Sequence, residues 1–194
     1  MGASYFLSNL PNNIGKFIGL TGEVLTLNEI IFFGLATDYF PIENLEKVKT
    51  SFINNGEMDT KKYEVNNKSL IIENIDIINE LFEGNINEIF AKLKNKNTEF
   101  ENKIYKAFCK KCPMSLAVTE KLINDAKGKT LKECLETEFQ LSQKIVYRDD
   151  FNNGVNSVLV SKDHNPQWQP SKLSEINIDD LNKYFEINTE KLYL

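Results

Sequence analysis

The side chains that could do chemistry are few, and their spacing narrows the choices. Cys109-Lys110-Lys111-Cys112 is a CxxC pair, and with Cys134 and His164 it could supply four soft ligands to zinc. No second tight pair accompanies it, and Cys134 falls on the apolar face of a helix, where a small apolar residue would sit. A redox dithiol would need a preceding thioredoxin-like strand, which the sequence lacks. His164 is the only histidine and lies in a polar turn, with no Ser or Cys nucleophile in an identifiable elbow. Asp149-Asp150 and Glu136/Glu138 are pairs of acids whose expected roles are a helix cap and a solvated face. Asp150 is expected to cap the helix that begins at Phe151. The Gly2 end of the first helix offers two readings: unpaired amides that attract an anion, or close helix packing. From these residues alone neither a catalytic set nor a metal set is expected.

The elements that would hold these groups are helical. The small residues Gly2-Ala3-Ser4 precede an apolar stripe, Tyr5, Phe6, Leu7 and Leu10, which suits a helix start pressed against a neighbour. A second helix, Ile14 to Thr21, carries Ile14, Phe17, Ile18 and Leu20 inward and ends at Gly22. Thr26 and Glu29 form a capping box for a third, with Leu27, Ile30, Ile31 and Leu35 on its inner face. Gly34 breaks it, and Ala36 to Phe40 reads as a short strand before Pro41. Leu45 and Val48 to Phe52 suggest a helix, and Asn54 to Lys68 a polar loop. Ser69 to Phe82 has the length and period of one helix. Helices follow around Ile86 to Leu93 and through Phe100, Ile104 and Phe108. Pro113 suits the first turn of the next, which runs to Gly128.

Thr130 and Glu133 box the start of a long helix. Leu131, Leu135 and Phe139 form one apolar row, with Cys134, Leu141 and Ile145 beside it. Phe151, Val155, Val158 and Leu159 stripe a shorter helix that Lys162 to Pro166 stops. Trp168, held between Pro166 and Pro170, is expected to pack back onto the body of the protein. Leu181, Tyr184 and Phe185 mark a last amphipathic helix.

With 41% hydrophobic residues over 194, the chain can bury a real core. Its net charge of −5, with no basic run interleaved with aromatics, argues against a nucleic-acid surface. Three cysteines, an odd number, point to a reducing compartment. No apolar run reaches the roughly 20 residues of a membrane span, and no secretory signal is visible.

The order of several short motifs resembles one family. Ser115-Leu116, Thr130-Leu131, Glu138-Phe139-Gln140-Leu141-Ser142-Gln143, Asp150-Phe151-Asn152-Asn153-Gly154-Val155, Lys162-Asp163 and Pro166-Gln167-Trp168-Gln169-Pro170 occur in the order of the C-terminal third of 3-hydroxyisobutyryl-CoA hydrolases. These belong to the crotonase (enoyl-CoA hydratase/isomerase) superfamily. Leu20-Thr21-Gly22 with Gly34-Leu35-Ala36-Thr37, and the opening Gly2-Ala3-Ser4-Tyr5-Phe6-Leu7, resemble further motifs of these proteins. The family usually has Glu before the glycine of the Asp-Phe motif, where this chain has Asn153.

The resemblance implies a mainly α fold, the C-terminal helical half of a crotonase-type α/β fold, with at most one or two short strands. It divides the chain into a tail of the crotonase core (1–40), a family-variable helical region (41–112) and a C-terminal helical region (113–194). It implies a thioester hydrolase of valine breakdown acting on a 3-hydroxyacyl-CoA. The reacting carboxylates and the amides of the oxyanion hole would precede Met1, so no catalytic residue and no cofactor is expected here. Gly2, Tyr5 and Phe6 would lie near the acyl pocket, and Lys162 within reach of a CoA phosphate. The implied partners are acyl-CoA and a companion N-terminal polypeptide. The implied location is cytoplasmic, or the mitochondrial matrix in a eukaryote. An enoyl-CoA hydratase/isomerase fragment and a non-catalytic helical binding module are the alternatives.

Overall fold

A computed structural model describes residues 2–58, 60–61, 65–66, 68–95 and 97–186. In chain order its helices are α1 (Ala3–Ser8), α2 (Ile14–Thr21), α3 (Leu27–Phe32), α4 (Leu45–Asn55), α5 (Leu70–Glu73) and α6 (Ile75–Leu81). They continue with α7 (Ile86–Lys94), α8 (Glu99–Cys109), α9 (Pro113–Ala126), α10 (Leu131–Ile145), α11 (Asp149–Val155) and α12 (Ile178–Phe185). The chain divides into two compact units: the residues up to Glu23 with those from Ile77 onward, and Val24–Asp76.

The larger unit is built around α9, which packs against α1, α2, α7 and α12. Pro113 opens α9 at a position where its missing N–H costs nothing. Met114, Leu116, Ala117, Val118, Ile123 and Ala126 are all buried, so nearly the whole circumference of this helix is covered. Phe17 of α2 meets Phe82 edge to face, with centroids 5.5 Å apart, and Phe108, Ile78, Ile89 and Leu93 complete a core closed to solvent. Glycines set how closely α1, α2 and α9 approach. A Cβ at Gly15 would lie 1.8 Å from the Leu7 carbonyl oxygen, and one at Gly19 would lie 2.7 Å from Cδ1 of Ile123.

Local signals start and stop the helices as the sequence predicts. Thr130 and Glu133 form the capping box of α10, and Gly22, at φ 68°, donates its N–H to the Ile18 carbonyl to close α2. Asn85 with Glu88, and Thr98 with Glu101, make the same box for α7 and α8.

The smaller unit folds on a buried carboxylate. Glu29 closes the capping box with Thr26 and also accepts from the Ser69 hydroxyl. Burial alone would raise its pKa, but the hydrogen bonds from Ser69, Thr26 and the Ile71 amide outweigh it and hold it below the usual range. The inner face of α3 is therefore Asn28 and Glu29, followed by Phe33, whereas Leu27 and Leu35 are exposed. This corrects the expected apolar face. The expected strand over residues 36–40 is also absent: Tyr39 forms one isolated bridge with Lys61, and Pro41 has no N–H to continue the ladder. The single helix expected from Ser69 to Phe82 breaks at Asn74 into α5 and α6.

In the larger unit one buried acid opposes the fold rather than supporting it. Glu120 of α9 is 8% exposed, 4.0 Å from the Lys16 ammonium, and accepts from the Asn124 amide. Burial pushes its pKa up, and Lys16 and Asn124 recover only part of the shift. The native state then binds more protons here than the unfolded chain does. This contribution is most favourable below the ordinary carboxylate range and is lost as pH rises through the folded value.

Two outcomes follow. Gly15→Ala should lower unfolding stability by about 3 kcal/mol, and Gly19→Ala by less because the Ile123 methyl can rotate away. Urea midpoints compare the two. Glu120→Gln should gain stability relative to wild type as pH is raised from about 4 to about 7. An unchanged difference between the two proteins across that range would remove the assigned role of burial.

Candidate functional site

Gly2 is the N-cap of α1 and takes φ 92°, a left-handed conformation that favours glycine. It has no side chain to cap the helix, and the cap comes from α10. Glu138 accepts from the Gly2 amide through Oε2, and through Oε1 from the Ser4 amide at 2.8 Å and the Ser4 hydroxyl at 2.6 Å. Glu138 and Ser4 are buried. The cost of burying a charge is offset by three charge-assisted hydrogen bonds at a helix N-terminus. This corrects one expectation and decides between two readings. Glu138 does not lie on a solvated face, and the Gly2 amide is not open to a passing anion. The buried face of α10 runs through Cys134, Glu138 and Leu141, while Leu131 is exposed, because the helix turns its carboxylate toward α1. The clue was legible: Cys134, Glu138 and Leu141 share one helical face.

Around this cap, Tyr5 is half-buried and Phe6 is 56% exposed, their rings meeting edge to face at 5.8 Å. Leu131, Leu135 and Phe6 come within 4 Å of where a Gly2 Cβ would be. Gly2, Tyr5 and Phe6 are therefore brought together at one end of α1. Lys162 is exposed, at φ 56°, in the turn that ends the helix after α11.

A second polar cluster joins α9, α11 and the segment after it. The Arg148 guanidinium pairs with Asp150 at 2.6 Å, donates to the Gln169 carbonyl at 2.8 Å and to the Tyr184 hydroxyl, and stacks on the Tyr184 ring. Asp150 also accepts from the Gln169 amide at 2.7 Å. The helix cap is Arg148, so Asp150 is not the N-cap; its carboxylate turns inward to hold the Gln169 backbone. Cys112, the N-cap of α9, is buried, and burial, with the Asp150 carboxylate nearby, pushes its thiol above the usual range. Cys109 is exposed and Cys134 buried, both free thiols. Among the described residues no three His, Cys, Asp or Glu side chains are placed to hold a metal ion.

Beside this cluster a cavity of about 270 Å³ is lined by Cys112, Ser115, Ile145, Phe151, Val155 and Trp168. Trp168 does pack back: a Cβ on Gly154 would stand 3.3 Å from its ring. Asn153 donates its amide to the Gln167 carbonyl at 3.0 Å, a bond that a glutamate could not make. A larger cleft of about 470 Å³ lies between α10 and α12, lined by Lys144, Arg148, Lys183 and Tyr184. None of Gly2, Tyr5, Phe6 and Lys162 lines either space.

Among the described residues no nucleophile is paired with a base. The Ser157 hydroxyl donates to Asp163 at 2.7 Å, and the imidazole of neighbouring His164 does not intervene. Asp163 also accepts from the Asn165 amide, so the pair closes a turn and activates nothing. What the region does is hold backbone in place at the start of α1 and at Gln169.

Residues 1–185 match the family described as enoyl-CoA hydratase/isomerase. The chain belongs to that family, and its helical architecture is that of the C-terminal half of a crotonase-type fold.

Within the family its relatives include 3-hydroxyisobutyryl-CoA hydrolases. It is 34% identical over 200 residues to the mitochondrial enzyme of Dictyostelium discoideum and 32% identical over 202 residues to that of Homo sapiens. Each match covers 96% of this chain and 52% of the relative, so the chain spans about half the length of these proteins. Two crystal structures share the fold. A carnitinyl-CoA dehydratase from Mycobacterium thermoresistibile has TM-score 0.87 and 24% identity, covering 99% of this chain and 56% of its own. An enoyl-CoA hydratase from Rhodobacter sphaeroides has TM-score 0.85 and 22% identity, covering 95% and 54%.

Glu138→Gln replaces one acceptor with an amide that confronts the α1 backbone donors. It should cost about 2 kcal/mol, read as a lower urea midpoint, with amide exchange accelerated at Gly2 and Ser4. Unchanged exchange at those amides would show that α1 starts without the carboxylate.

Proposed function

We propose that this chain is the C-terminal, helical part of a 3-hydroxyisobutyryl-CoA hydrolase-like thioester hydrolase, inactive until joined to the α/β half of the fold. The similarity to these hydrolases along 96% of the chain, over only 52% of their length, carries the reading. The chemistry supports it. The described residues hold no activated nucleophile, and the helix N-terminus at Gly2 is already filled by Glu138. Thioester cleavage of the kind the resemblance implies uses a carboxylate to attack or activate water and amides to stabilise the oxyanion. In this reading both come from the other half, supplied by a companion polypeptide.

This chain would then contribute wall and anchor. Gly2, Tyr5 and Phe6 flank the acyl pocket, with Phe6 as the exposed apolar surface. Lys162, exposed at the end of the α11 extension, meets a CoA phosphate. The substrate is the 3-hydroxyisobutyryl thioester formed in valine breakdown. The hydrolases named above are mitochondrial, which supports a matrix location if the source is eukaryotic; for any other source the reading is cytoplasmic. Among the described residues no helix is long and apolar enough to cross a membrane.

Release of free CoA from 3-hydroxyisobutyryl-CoA tests this. The purified chain should give no turnover above background, and turnover should appear when the α/β half is joined to it. Robust hydrolysis by the chain alone would overturn the division of labour. Absence of hydrolysis in a folded, completed protein would overturn the substrate.

A further inference from the structure

A cavity of about 350 Å³ lies where α7, α8 and the start of α9 meet the short helical turn Leu173–Glu175. It shares no lining residue with the Trp168 cavity or with the cleft between α10 and α12. Its walls are mostly apolar. Phe90 of α7 and Phe108 of α8 stack with centroids 6.0 Å apart and planes at 28°, and Phe90 also packs on Tyr105 at 5.9 Å. Phe108, Pro113 and Leu116 are buried, and the turn adds Leu173, which is half-buried. The volume is in the range that encloses a small organic molecule. The rings pack on one another rather than opening a slot for a flat ligand, so a flexible aliphatic chain fits these walls better than an aromatic one.

Charge narrows the ligand further. The protein carries a net charge of −5, yet among the described residues no Asp or Glu lines this cavity. Its charged residues are Lys111 and Lys172. The Lys111 ammonium reaches away, to 3.1 Å from where a Cβ on Gly22 would stand at the end of α2, so its stem rather than its charge serves the cavity. Lys172 is exposed on the turn, beside the Ser171 and Ser174 hydroxyls. Glu175, the acid of that turn, accepts from the Ser171 and Lys172 amides at 3.1 and 3.3 Å, so its carboxylate closes the turn instead of facing the cavity. An apolar enclosure with a cation and hydroxyls at one side, and no carboxylate in its lining, suits a ligand with an apolar body and an anionic head.

We infer that this cavity binds an aliphatic monocarboxylate, its chain against Phe90, Phe108 and Leu116 and its carboxylate at Lys172. The inference goes beyond the thioester reading and does not rest on it. A failed hydrolysis assay leaves the cavity standing, and an empty cavity leaves the hydrolase reading standing.

Cys109 supplies the readout, because it lines the cavity and is exposed, whereas Cys112 and Cys134 are buried. Saturating decanoate should slow maleimide labelling of Cys109 by about tenfold, as covering an exposed thiol does. Octanoate, shorter by two methylenes, should need about tenfold more for the same protection. Lys172→Glu, an exposed change, should raise the decanoate concentration for half-protection by about tenfold, and decanol should protect less well than decanoate. Absence of protection at every decanoate concentration that preserves the helical circular-dichroism signal overturns the proposal. Protection that is indifferent to chain length overturns the buried chain, and with it the proposal. Equal protection by decanol, or equal protection of wild type and Lys172→Glu, overturns the carboxylate. Leu173→Asp sets a like charge in the wall and should abolish protection; if that variant does not fold, the chain-length and Lys172→Glu comparisons decide.

Discussion

A carboxylate on one helix holds the first turn of another, and much of the larger unit follows from that contact. Glu138 bonds to Gly2 and Ser4, so the start of α1 is fixed to the middle of α10. α1 has no cap of its own, since Gly2 carries no side chain and adopts a left-handed backbone. A six-residue helix is too short to stand alone in water. It persists because α10 supplies acceptors at one end and α2 and α9 supply packing along its length. Gly15 allows the approach of α2 to the Leu7 carbonyl, which leaves no room for a methyl group.

The same principle recurs at Asp150 and at Glu29. Each acid is buried, and each accepts from groups of the fold: Glu29 from the Ser69 hydroxyl, and Asp150 from the Gln169 amide and the Arg148 guanidinium. Arg148 and Asp150 tie Gln169 and Tyr184 to the start of α11. Such groups cost stability if one partner is removed, because the other is left buried and unpaired. Their placement fixes the larger unit at two points: the start of α1, beside the exposed Phe6, and the start of α11, beside the exposed Phe151.

Elements and family membership were legible in the sequence because their signals are local. The boxes at Thr26 and Glu29 and at Thr130 and Glu133, the stop at Gly22 and the start at Pro113 each act within four residues. The order of the Glu138, Asp150 and Trp168 motifs specified the family for the same reason: it is read along the chain. In α9 helical period distinguishes few positions, because nearly every side is covered.

Tertiary structure decided which way the acids and the apolar stripes face. Glu138 and Gly2 are 136 residues apart, and no local rule tells a buried capping acid from a solvated one. Asp150 looked like a helix cap because acids at that position usually are; the nearby Gln169 amide drew it inward. The Phe151 to Leu159 stripe has the period of a core helix, yet only the folded chain shows that its polar face is the one held inside. The physical reason is common to all three. Spacing along a helix says which residues share a face, but the direction that face turns depends on the hydrogen-bond partners the rest of the fold brings to it.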